Sequence, residues 1–376
     1  MSIKSAWYLA KTGEAHSQVF ETVRFIANQQ ASQRDDMLFH AELYAAGNIT
    51  GLGDGSSVSV ADQLENYLYG SGLNTRFNLT AAMVDTAVSL IAQSPVVPQV
   101  LTTDGDFKLI RKAERRSQVL QGQLNKDRQE TIKRAFLDAA KVGTGVIHGY
   151  HDEDGLPEAE RVHPLEMYVE HMDGLYKKPR SMHRKKLVPR EVLKAEHPEH
   201  ADDVEGAPCA SMDQFNSFLL QGLAGSYGDF VEVVESHHLA AGPGKKGRHT
   251  ICIPNATLVD EEYRHRKHPY VVFRYRDRDF GFWGSGLAES CRAAQNRINE
   301  LINRVTRAQD LGSSLVMMNP AGSSEHSVRV EELTNDIGLI VNYDPAIGEP
   351  HMVTWNGTLD DLQEQINLEY QRALLV

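Results

Sequence analysis

Apolar residues recur along this chain with two different periods, and the places where the period changes divide it into elements. Between residues 14 and 46, Val19, Val23 and Ile26, then Met37, Leu38, Ala41 and Tyr44, fall at helical spacings on either side of the polar interval QQASQRDD. The run NLTAAMVDTAVSLIA predicts a buried helix over 78–92, with Asn78 or Thr80 as its N-cap. Residues 106–142 predict a long amphipathic helical region with Leu120, Leu124, Ile132, Phe136 and Ala140 on its apolar side and a charged, solvated face opposite. At Gly143 the period shortens to that of strands. GVIHGY and ERVHPLEMYVE, joined by HDEDG, predict one hairpin, and FVEVVESHHL with RHTICIP, joined by GPGKKG, predict another. Residues 173–215 keep neither period and read as irregular, with His183, His197 and His200 in solvent.

The most regular stretch follows. An apolar run from Tyr270 to Phe273 meets an aromatic-glycine knot, FGFWGSG at 280–286, and then a helix. On it Leu287, Cys291, Ala294, Ile298, Leu301, Val305 and Ala308 alternate spacings of four and three, an unbroken heptad seam. Arg292, Asn296, Asn299, Asn303 and Thr306 occupy the other side. Strand character returns at 315–318, 338–341 and 352–355. A last helix opens at Thr358, carries Leu362, Ile366, Tyr370 and Ala373, and stops on Leu374, Leu375 and Val376. Without a capping glycine or polar tail, such an ending leads us to expect that the gene product continues or that a partner covers it.

Charge narrows the function. With 39 basic against 51 acidic residues the net charge is -12, which disfavours a protein that grips nucleic-acid phosphates tightly. One basic cluster stands out locally: Arg264, His265, Arg266, Lys267 and His268, continued by Arg274, Arg276 and Arg278. It is suited to ion pairs or to a surface that meets DNA phosphate. The three cysteines are far apart and lack CxxC spacing, so neither a disulfide framework nor a zinc site is indicated, and a reducing setting fits. No apolar run is long enough to span a bilayer.

Candidate chemistry is sparse. The acidic turn at 151–155 has its glycine too early for a calcium loop. His237 and His238, adjacent on a strand, point to opposite faces and cannot share an ion. The glycines of GLGDG, Gly51 to Gly55, lack the lysine of a P-loop. Gly284 and Gly286 resemble the start of a dinucleotide loop, but position 289 is Glu, which would repel a pyrophosphate; Ser285 as a helix cap is the plainer reading. We expect no enzyme, cofactor or metal. The alternative is a nucleotide-binding enzyme built on these two glycine turns, and a coiled-coil scaffold is a third reading.

The order of elements, more than any one of them, carries a resemblance. Hairpin strands, then PYVVFRYRDRDFGFWGSG, a helix bearing Gln295, Asn296 and Asn299, the strand LVMMNP, a small β segment and a second helix are similar to the portal proteins of tailed bacteriophages. Upstream, RFNLTAAMVDTAVSLIAQSP, FLDAAKVGTGVIHGY and RVHPLEMYVE resemble the wing of such portals. The resemblance implies an α+β portal fold: wing over 1–283, first stem helix over 284–309, clip over 310–357, and the start of a second stem helix over 358–376, the tunnel and crown lying beyond the residues given. It implies a dodecameric ring in the virion, assembled in the host cytoplasm at one capsid vertex and passing double-stranded DNA. Expected partners are the major capsid protein, the terminase and then the tail adaptor, with no membrane. The stem surface would comprise Arg292, Asn296, Asn299, Asn303, Glu364 and Glu369, and the partner surface of the clip Glu325, Arg329, Glu331 and Glu332.

Overall fold

The computed structural model describes residues 7–45, 78–93, 96–103, 105–124, 126–152, 155–210, 230–240, 242, 246–313, 316–318, 351–353 and 359–374. The chain separates into two compact units, 1–65 with 78–292, and 66–77 with 293–376. The fold is α+β, with antiparallel sheets and helices packed on them.

In the first unit α1 (Ala15–Gln29) and α2 (Ala31–Ala45) divide the expected first helix at Gln30. Gln30 is buried, and its side chain donates to the Val169 carbonyl at 2.6 Å. In α1, Ala15, Val19, Val23 and Ile26 are buried on one face, as their spacing requires. Helix α3 (Leu79–Ala92) is capped by Asn78, whose side chain accepts from the Ala81 amide at 2.9 Å. The region expected as one long helix is α4 (Phe107–Gln123) and α5 (Lys126–Val142), broken at Leu124. Among the residues of α4 only Ala113 is buried; Leu109, Ile110 and Leu120, on the same side of the helix, stay exposed.

Two antiparallel sheets follow. The smaller has the order β2-β1-β8, from β1 (Thr144–His151), β2 (Pro157–Val162) and β8 (Tyr270–Arg274). The hairpin across 151–157 is as expected, with His151 opposite Pro157. The larger has the order β3-β4-β5-β6-β7, from β3 (Met167–Tyr168), β4 (Ser181–Pro189), β5 (Phe230–His238), β6 (Gly247–Ile253) and β7 (Ala256–Tyr263). Two short helices, α6 (Arg190–Glu196) and α7 (Ala201–Glu205), follow β4. Residues 173–215 are therefore not irregular throughout. His183 on β4 is 1% exposed, and the expectation of a solvated histidine there is wrong.

Residue alternation on β5 explains the layering. Val234 faces α1, packing with Val19, Val23, Ile26 and Cys252. Val231 and Val233 face the other way, against Leu193 and Val204 of α6 and α7. Further along that second face the side chains become polar and meet the smaller sheet, beside a core of Val146, Val162, Met182, Phe282 and Trp283.

The aromatic-glycine knot is a close-packed corner. Gly143, at the end of α5, has φ +95, and a Cβ on Gly143 would fall on the Gly284 carbonyl. A Cβ on Gly284 would in turn fall on the Gly143 carbonyl, and one on Gly286 on that of Lys141. The two backbones touch because neither carries a side chain. From this corner α8 (Leu287–Ser313) runs for 27 residues, about 40 Å.

In the second unit, β9 (Val316–Met318) pairs antiparallel with β10 (His351–Val353), and α9 (Leu359–Leu374) follows. The expected strand at 338–341, the cap at Thr358 and the glycines at 51–55 lie outside the described residues, as do Glu325, Arg329, Glu331 and Glu332.

Candidate functional site

Three features of the surface and interior carry polar chemistry. The first is α8 itself. Along the seam Leu287, Cys291, Ile298 and Leu301 are buried, as the heptad predicts. At its start Glu289 accepts from Arg278 through both carboxylate oxygens, Oε1 at 2.9 Å and Oε2 at 2.8 Å, so this carboxylate is held by a guanidinium rather than left to the helix dipole. Arg292 pairs with Asp36 at 3.2 Å and lies over the Phe39 ring at 4.4 Å, which ties the beginning of α8 to α2. Asn296 is exposed and Asn299 partly so, accepting from Gln295 at 3.0 Å. Asn303 is 3% exposed, and its Oδ1 has no hydrogen-bond partner among the described residues. On α9, Glu364 is exposed and Glu369 pairs with Arg372 at 2.9 Å.

The second feature is a concave patch lined by Lys177, Lys178, Arg180, Arg264, Arg266 and Lys267, where the basic cluster seen in the sequence meets the loop before β4. Lys177 is paired with Asp277 at 2.9 Å.

The third is a network between the two sheets that no expectation from the sequence anticipates. Arg184 on β4 is 4% exposed and holds Glu160 of β2 with two bonds, 3.0 and 2.8 Å, and Glu166 with a third at 3.0 Å. The His148 imidazole, 3.7 Å away, and the two bonds from Arg184 hold the Glu160 carboxyl well below the usual carboxylate range. Beside this lie Glu235 and His237, two apart on β5 and so on one face, with His249 of β6 directly opposite His237. Glu235 Oε1 stands 3.3 Å from His249 Nε2 and 3.7 Å from His237 Nε2, while its Oε2 accepts from the Tyr270 hydroxyl at 3.1 Å. His249 Nδ1 lies 2.8 Å from Glu261 on β7. The His237 and His249 rings stack with centroids 4.3 Å apart.

Burial and charge oppose each other here. Burial raises the Glu235 carboxyl, but the His249 hydrogen bond and the surrounding imidazoles more than offset it and hold it at about 2. Burial lowers His249, and its two carboxylate partners bring it back above the ordinary value. His237, with burial dominant, is pushed down to about 3. Tyr270 is raised well above the usual phenol, by burial and then by the Glu235 charge.

His237 and His238 do point to opposite faces, as expected: His238 stacks on Tyr8 at 3.8 Å, away from the cluster. What sequence reasoning missed is both partners of His237, Glu235 and His249. The signal was present in the hairpin, where a strand ending Glu-x-His returns through a glycine turn and puts a histidine two residues into the next strand; the hairpin register sets that histidine opposite His237.

No protein-family model matches the chain, and a search of curated proteins finds no match.

Proposed function

We propose that this chain is the subunit of a ring-shaped DNA conduit of the portal type, set at a capsid vertex, docking a packaging motor and later a tail adaptor. The observation that carries this reading is the order helix, paired strands, helix: α8, then β9 antiparallel to β10, then α9. An antiparallel pair between two helices is the arrangement expected where a clip joins an outgoing stem helix to a returning one. Support comes also from α4. A face with Leu109 41%, Ile110 39% and Leu120 39% exposed is costly in a lone chain and is suited to burial against a neighbouring copy. In a ring such contacts are heterologous and repeat around the axis.

The turn at Gly284 gives the nucleotide-binding reading no support, since its glycines are filled by the backbone of α5. No helix among the described residues is long and apolar enough to cross a membrane.

Negative-stain images of the purified protein are expected to show rings with a central hole, and light scattering the mass of a closed oligomer. A chain that stays monomeric at every salt and protein concentration tried overturns the proposal.

A further inference from the structure

We propose that Glu235, His237 and His249 form a binding site for a divalent transition-metal ion, Zn2+ being the best match. One donor atom from each residue lies within 4.8 Å of the other two. This assignment stands on the geometry of the two sheets and does not depend on the portal reading.

Distances carry the first step. Two donors on one tetrahedral ion, with bonds of about 2.0–2.1 Å, stand about 3.3–3.4 Å apart. Glu235 Oε1 is 3.3 Å from His249 Nε2 and 3.7 Å from His237 Nε2. The first is a long hydrogen bond and the second is none, yet both are close to the spacing that a shared ion imposes. His237 is 3% exposed, and its Nδ1 has no hydrogen-bond partner among the described residues.

Around the three donors the outer groups are those that metal sites use. Glu261 takes the Nδ1 proton of His249, which leaves Nε2 facing the cluster, and the Tyr270 hydroxyl holds Glu235 Oε2, which leaves Oε1 facing it. Charge points the same way. Glu235 has 13% of its side chain exposed, and among the described residues no Lys or Arg pairs with it; the nearby Arg184 is committed to Glu160 and Glu166. Two imidazoles and one carboxylate, completed by a water as the fourth ligand, would form a donor set that favours zinc over calcium or magnesium. Entry would come from the side of β7, the edge strand, where Glu261 has 63% of its side chain exposed.

A proton on His249 would supply the same positive charge, and the experiment separates the two. The full-length protein is dialysed against a chelator, titrated with Zn2+ by calorimetry and assayed for bound metal by mass spectrometry. One Zn2+ per chain is expected, with thermal stabilisation, and Co2+ in its place should give the visible spectrum of a tetrahedral site. Glu235→Gln and His249→Asn should each abolish the stoichiometric site with the far-ultraviolet dichroism unchanged. Glu261→Gln should weaken binding about 10- to 100-fold. His238→Asn, on the opposite face, should bind as the parent does. If the folded parent takes up no Zn2+, or if the metal stays bound in both Glu235→Gln and His249→Asn, the proposal fails and the cluster is a protonated ion triad.

Discussion

His183 shows how far one side chain can depart from what its neighbours in sequence suggest. Burial, together with the charges of His238 and His268, lowers its pKa to about 3. Its Nδ1 is 2.7 Å from the Ser236 hydroxyl and its ring meets the edge of Trp7 at 5.4 Å. In the unfolded chain the same imidazole titrates near its ordinary value of about 6.5. Between these two values the unfolded state binds more protons, so the stabilisation is complete above the unfolded pKa and is lost as the pH falls toward the folded one. At pH 5 the loss is about 2 kcal/mol from this residue alone. Urea midpoints should therefore fall from pH 7.5 to pH 5, and fall less in His183→Gln, which can keep a bond to Ser236 but does not titrate. An equal fall in both proteins would assign the acid sensitivity elsewhere.

At the scale of elements, what was legible follows from which strands obey a period. β1, β5 and β6 are flanked by turn residues and alternate or run apolar, and each lies where the sequence puts it, whereas the strand expected over 160–170 is divided between the end of β2 and β3 by a 3-10 turn at Pro164–Glu166. β4 reads SMHRKKLVP and was lost, because two of its interior positions are charged: Arg184 is buried against Glu160 and Glu166, and Lys185 against Glu232 at 3.2 Å. Those partners come from distant segments, and no local pattern announces them. β7 was passed over for the same reason; its acidic end, Asp260 to Glu262, is complemented across the ladder by Arg248, His249 and Lys246. The histidine cluster is likewise a product of register, which the sequence constrains but does not display.

The pair of Arg184 with Glu160, buried on the arginine side, has a measurable cost if broken. Glu160→Ala removes two of the three bonds to a guanidinium that is 4% exposed, which should destabilise the protein by about 2–4 kcal/mol. Glu130→Ala, which breaks the exposed i,i+4 pair with Arg134 on α5, should cost under about 0.5 kcal/mol. Denaturant melts of the two variants side by side would test the contrast. Equal effects would mean that Arg184 finds water or another acceptor when Glu160 is gone.

For the whole molecule the portal proposal makes a demand on charge that differs from that of a DNA-binding protein. A conduit must let the duplex slide, and each phosphate neutralised by Lys or Arg adds affinity through counterion release. A chain with 51 acidic and 39 basic residues repels duplex DNA overall, but the patch of Arg264, Arg266, Lys267, Lys177 and Lys178 does not. The two terms respond differently to salt and mutation. At about 150 mM salt, where the screening length is about 8 Å, gel shifts with linear duplex should show no retained complex. At low salt any weak binding should come from the basic patch, and Arg264→Glu with Arg266→Glu should remove it, while Asn296→Ala on α8 leaves it unchanged. Tight binding at physiological salt, with a steep loss of affinity as salt rises, would describe a clamp instead of a channel. The ring would then need another explanation even if it formed.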